Sequence, residues 1–93
     1  MAPKKETQEA KEEPAFKRQF GNVRVAVWTN QKENGAVWYN TSIVRKYHDG
    51  SAWHEATSFS RDDLPNVVMA ACSAYSWIWA QREAVRQEQE LAA

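Results

Sequence analysis

One cysteine, two histidines and three glycines are all that 93 residues supply of the types on which most small metal, redox and phosphate sites depend. Cys72 alone can form no intramolecular disulfide and no thiolate cluster. Flanked by Ala71 and Ser73 in a predicted helix, it reads as a small apolar filler. His48 and His54 have no metal-ligand spacing to another histidine or cysteine. Gly21, Gly35 and Gly50 are too dispersed for a phosphate-cradling loop. No metal, cofactor or small-molecule substrate is therefore expected. Long apolar runs are missing too. Val67 to Ala80 is the most apolar stretch, and it is too short for a bilayer core of about 30 Å. The N-terminus offers no apolar segment for a signal peptide, so a cytoplasmic, reducing location is expected, with no membrane partner.

Net charge is also absent, since twelve acidic residues balance twelve basic ones. That excludes a simple polycationic nucleic-acid binder. The distribution is uneven, however. Residues 1–14 carry three Lys and four Glu, residues 15–60 six basic and three acidic groups, and residues 61–93 three Arg and five acids. The successive sums are −1, +3 and −2, which leaves the middle of the chain basic.

What the chain has is aromatic. Of five tryptophans, Trp28, Trp38 and Trp53 lie along short alternating runs, and Trp77 and Trp79 in the one long helical pattern that follows. Residues 1–14 are charged or small and offer no apolar surface to offset ordering entropy, so a disordered tail is expected. Residues 15–93 then form one domain, a size near the lower limit for a self-sufficient core. Phe16–Phe20 reads as a short first strand, with a turn or bulge at Gly21-Asn22. Residues 23–30, 36–47 and 52–59 alternate apolar and polar positions, the period of half-buried antiparallel strands. Asn34-Gly35 and Asp49-Gly50 supply the turns between them. The expected fold is α+β: an antiparallel four-stranded curved sheet, three-stranded if Phe16–Phe20 does not pair, followed by one C-terminal helix on one face.

The turn at Asp49-Gly50 decides which side chains share a face. A two-residue turn pairs Tyr47 with Ala52 and sets Trp53 opposite Lys46. A three-residue turn with Gly50 left-handed pairs Arg45 with Trp53, and it is favoured here. It gathers Tyr39, Ile43, Tyr47, Trp53 and Phe59 with Val23, Val25 and Val27 on a core face, with Arg45 and Glu55 able to pair at its edge. Arg24, Trp28, Trp38, Asn40, Ser42, Lys46 and His54 then stand on the open face. Ser58, His54 and Glu55 make no triad in this register, because Glu55 points away from the other two; no catalytic residue is expected.

Ser60, Asp62 and Asp63 are the candidate caps of the helix, and Pro65, which suits a first turn, favours Asp62 or Asp63, whose carboxylates suit the positive end of the dipole. The helix is expected to reach about Glu90. Leu64, Val67, Val68, Ala71, Tyr75, Ile78 and Val85 form one stripe at helical spacing, expected against the valines. Trp77 then falls on the other side among Ala70, Ser73, Ala74 and Ala84, an arrangement of one large ring among small residues that suits a second helix. A homodimer through that face is expected.

This strand and helix order resembles the single-stranded nucleic-acid-binding fold of the Pur-alpha repeats, the Whirly proteins and positive cofactor four. The stretch GAVWYNTSIVRKYHDGSAWHEATSFSRDDL carries the likeness, through paired aromatics, an Ile-Val strand with basic residues, a glycine turn, an aromatic strand and an acidic helix start. It covers about residues 20 to 80, and small bacterial proteins share the layout. The resemblance implies an oligomeric binder of single-stranded DNA or RNA. Trp28 and Trp38 would then stack bases, or else pack on one another across strands. Lys17, Arg18, Arg24 and Lys46 would neutralise phosphates, or form an ordinary solvated face. Asn40, Ser42 and His54 would add hydrogen bonds. The competing class is an oligomerising protein-interaction module, in which Trp28, Trp38 and Trp77 are interface anchors.

Overall fold

The structure, a computed structural model, describes residues 13–92. The predicted N-terminal tail lies almost wholly outside them. Strands β1 (Phe16–Phe20), β2 (Val23–Gln31), β3 (Val37–His48) and β4 (Trp53–Ala56) pair in sequence order, each antiparallel to the next. The helix α1 (Leu64–Ala92) follows. The α+β arrangement of four antiparallel strands and one long helix is the one expected from the alternating runs. Gly21 makes the β1–β2 turn with φ +61°, a conformation that strains other residues, and the side-chain nitrogen of Asn66 lies 2.8 Å from where a Cβ would stand, so a larger residue would also have to displace that side chain.

The hairpin register differs from the three-residue turn favoured above. His48 pairs with Trp53, Tyr47 with His54, Lys46 with Glu55 and Arg45 with Ala56, leaving a four-residue loop. Asp49 explains the longer loop. Its Oδ1 accepts the backbone N–H of Ser51 (2.9 Å) and of Ala52 (3.0 Å), while the Asp49 N–H donates to the Ala52 carbonyl (3.2 Å). His48 Nδ1 accepts the Gly50 N–H at 3.1 Å. The loop's own donors are thereby satisfied, so a fourth residue stays out of the ladder at little cost. Because side chains alternate, this change of parity exchanges the faces of β4. Trp53 and Glu55 join the open face, and His54 moves to the helix side. The rejected two-residue turn had the right parity.

Ser60 starts the helical region, two residues ahead of Asp62 and three ahead of Asp63, the caps favoured from the sequence. Its N–H and hydroxyl both donate to the Asp63 carboxylate (3.1 and 3.0 Å), and Arg61–Asp63 form a single 3-10 turn that leads into α1. Arg45 does not pair with Glu55. It donates to the Ser58 carbonyl at 3.0 Å and lies 3.7 Å from Asp63, which ties β3 to the helix start.

The helix is rotated about its axis from the predicted stripe: Val67 and Ile78 of that stripe do pack on the sheet, but Ala70, Ala74 and Trp77 take the centre of the contact. Val23, Val25 and Val27 form the buried core with Ala70 and Ala74, flanked by Phe16, Phe20, Ile43, Val67, Trp77 and Ile78. Trp77 stacks on Phe16 (centroids 5.5 Å apart) and meets Tyr39 edge-on (5.8 Å). Leu64, Val68, Tyr75 and Val85 are exposed, as is Ala71. Two alanines facing three valines let the helix lie close to the strands, and the space beside them takes the indole. Both sides of the helix are apolar, so periodicity could not choose between them; the close approach that alanine permits did. At 29 residues, α1 is about 43 Å long, and it extends the molecule to 57 × 35 × 15 Å.

Candidate nucleic-acid interface

The helix covers one face of the sheet over β1, β2 and β3. The pairing register then places Lys17 and Gln19 of β1, Arg24, Ala26 and Trp28 of β2, Trp38, Asn40, Ser42, Val44 and Lys46 of β3, and Trp53 and Glu55 of β4 on the other. Seven of the nine predicted contacts share this face: Lys17, Arg24, Trp28, Trp38, Asn40, Ser42 and Lys46.

Arg18 and His54 do not. Lys17 and Arg18 are adjacent in a strand and must point to opposite sides, so only one of them can join a single surface. Arg18 takes the helix side, with its guanidinium carbon 4.8 Å from the centre of the Phe20 ring. His54 stacks on Tyr47 (5.3 Å), and its Nε2 lies 2.6 Å from Asp49 Oδ2. The hydrogen bonds from the Ser51 and Ala52 amides, followed by the His54 contact, hold the Asp49 carboxyl down to about 2 from its usual 3.8.

Trp53 was missed. It is 66% exposed, sits beside His48 in an edge-to-face contact (5.1 Å), and lines a depression of about 240 Å³ with Gln19, Asn22 and Lys46. The two-residue hairpin parity was the one signal that could have found it. Trp28 stands opposite Asn40 and Trp38 opposite Asn30, which makes the two indoles diagonal neighbours. Trp38 is 45% exposed, while Trp28 is half-buried, with its Nε1 enclosed and without a hydrogen-bond partner among the described residues. Stacked and edge-on ring pairs among the described residues do not include these two.

Charge on the face is organised by one ion pair. Arg24 on β2 reaches across β3 to the Glu55 carboxylate on β4. Lys17, Arg24 and Lys46 against Glu55 leave the face at +2 (three cations less one anion). Exposed indoles, amide and hydroxyl side chains, and a modest positive surplus suit stacking on flat rings and contact with phosphates.

The predicted oligomer-interface residues are dispersed differently. Ala70 and Ala74 are buried under the sheet, Ser73 and Trp77 are half-buried there, and Ala84 is exposed on the overhanging part of the helix. The small size of Ala70 and Ala74 serves the helix–sheet contact instead. A second groove, of about 600 Å³, runs between the β2–β3 loop and the distal helix, lined by Val37, Tyr39, Trp79, Arg82, Val85 and Arg86 among others. It holds none of the predicted contacts. Among the described residues no group of three or more His, Cys, Asp or Glu side chains is placed to hold a metal ion, and no helix is long and apolar enough to cross a membrane. Comparison with protein-family models finds no match, and comparisons with curated proteins and with solved structures find none either.

Proposed function

We propose that this chain binds single-stranded DNA or RNA on the uncovered face of its sheet, without catalysis or cofactor, in the cytoplasm. The observation that carries the reading is the make-up of that face: Trp28, Trp38 and Trp53 stand with Lys17, Arg24 and Lys46 around a single acid, Glu55. Every base has a π-face, so the exposed indoles of Trp38 and Trp53, with the half-buried Trp28 diagonal to Trp38, suit single strands with little sequence preference, each stacked base being worth roughly 1–3 kcal/mol. Duplex DNA keeps its bases stacked and offers no such surface. The resemblance to the Pur-alpha and Whirly fold supports the same reading, and the ββββα layout agrees with it.

The test is fluorescence anisotropy of a labelled single-stranded oligonucleotide, titrated at low and at physiological salt with a duplex control. Expected are single-strand preference, weakening as salt rises, and a loss of roughly 5- to 150-fold in Trp38→Ala, the equivalent of 1–3 kcal/mol. No binding at low salt overturns the reading.

A second reading, an oligomerising protein-interaction module, is favoured by the number of large apolar side chains left exposed along α1, among them Leu64, Val68, Met69, Tyr75 and Trp79. Such an association holds or strengthens as salt rises, which separates it from phosphate binding.

A further inference from the structure

The outer side of α1 carries a second apolar stripe. Leu64, Val68, Cys72, Tyr75 and Trp79 follow at intervals of four, four, three and four residues, opposite the buried stripe of Val67, Ala70, Ala74 and Trp77. Residues 64–81 contain no Asp, Glu, Lys, Arg or His, although half of that helix surface faces solvent. A solvated helix face ordinarily carries charge, as this helix does from Arg82 onward. Tyr75 and Trp79 are 68% and 51% exposed and stack on one another with centroids 6.4 Å apart, forming one broad aromatic surface.

We infer that this stripe is the contact between two copies of the chain, packed as antiparallel helices about a two-fold axis near Cys72. The inference deepens the self-association reading above and does not depend on nucleic-acid binding. Three observations select a second copy as the occupant. Apart from Arg82, whose guanidinium carbon lies 5.9 Å from the centre of the Trp79 ring at one end, the stripe carries no charge, so it offers little to a charged partner and complements itself. The stripe is centred on Cys72, so a two-fold there sets Trp79 of one copy against Leu64 and Pro65 of the other, and Tyr75 against Val68 and Met69. Aromatic rings thus meet aliphatic side chains, with the small Ala71, Cys72 and Ser76 between them to allow close approach. The third is area. With exposed aromatics at about 150–250 Å² each, the fractional exposures of these residues amount to roughly 500 Å² per copy, and about 1,000 Å² for the pair reaches the size of a specific interface.

The antiparallel arrangement also keeps the two C-terminal segments apart, each bearing Glu83, Glu88 and Glu90 near the negative end of its helix dipole. The layers become sheet, helix, helix, sheet. Both uncovered sheet faces then point outward on opposite sides of the dimer.

Light scattering on the full chain across a concentration series tests this. A mass about twice the 10.7 kDa chain is expected, falling to that of one chain in Tyr75→Glu and Trp79→Glu. A second measurement needs no change to the interface: a short bis-maleimide should join two copies through the single cysteine, Cys72, and Cys72→Ser should abolish the product. A monomer at every concentration overturns both the inference and the self-association reading. An oligomer that is neither dissociated by the two substitutions nor captured through Cys72 leaves self-association standing and overturns this surface. Dissociation by Trp38→Ala instead moves the interface to the sheet and overturns it as well.

Discussion

Trp77 lies against Phe16, ring over ring at an interplanar angle of 25°, and so fastens the middle of the helix to the edge strand β1. The contact joins residues 61 positions apart in the sequence. It also makes Trp77 part of the fold, although its small neighbours suggest a surface meant for another helix. Trp77→Ala removes this stack and the edge contact with Tyr39. Full burial of an aromatic makes such a truncation cost about 3–5 kcal/mol, and a half-buried ring should cost about 2–3. Urea denaturation should show that loss, while the mass in solution stays that of the wild type. A stable variant with altered mass would place Trp77 at an interface instead.

Glu55 restrains the basic surface it belongs to. Its carboxylate engages Arg24 from two strands away, and Lys46 is its direct cross-strand neighbour. Glu55→Gln releases both and raises the face from +2 to +3. If phosphates bind there, oligonucleotide affinity should rise at low salt and the salt dependence should steepen by about 0.7 in the log–log slope, the contribution of one further neutralised phosphate on a single strand. An unchanged slope would remove Arg24 and Lys46 from the contact set.

Asp49 couples the β3–β4 loop to pH. Its carboxyl is held down to about 2, chiefly by the Ser51 and Ala52 amides. A depressed pKa means that the folded loop favours the ionised form, so its contribution is fully present above the ordinary value near 3.8 and is lost as pH falls toward 2. Amide exchange at Ser51 and Ala52 should accelerate across that window before the β2 valines are affected. Asp49→Asn should flatten the dependence, because an amide keeps an acceptor oxygen but does not titrate there.

The sequence by itself determined the class of fold. Alternating runs such as Val23 to Trp28 can bury one side only as strands, and the breaker-free stretch after Pro65 can continue only as helix. It also placed Arg24, Trp28, Trp38, Asn40, Ser42 and Lys46 on one face, through strand periodicity and an antiparallel β2–β3 pairing, whereas the choice of Lys17 over Arg18 came from the β1–β2 register. Tertiary structure decided two matters of parity. Gly50 is left-handed at φ +101°, as the sequence suggests, but loops of two, three or four residues all accommodate it. Only the hydrogen bonds centred on Asp49 selected four, and that choice exchanged Trp53 and Glu55 for His54 on the open face. The helix posed the same difficulty, since Leu64 to Gln81 is apolar or uncharged all round. Val68 and Tyr75 are larger than Ala70 and Ala74 and offer more apolar area, yet close packing on the valine surface rewards the smaller side chains. The larger ones were left facing outward.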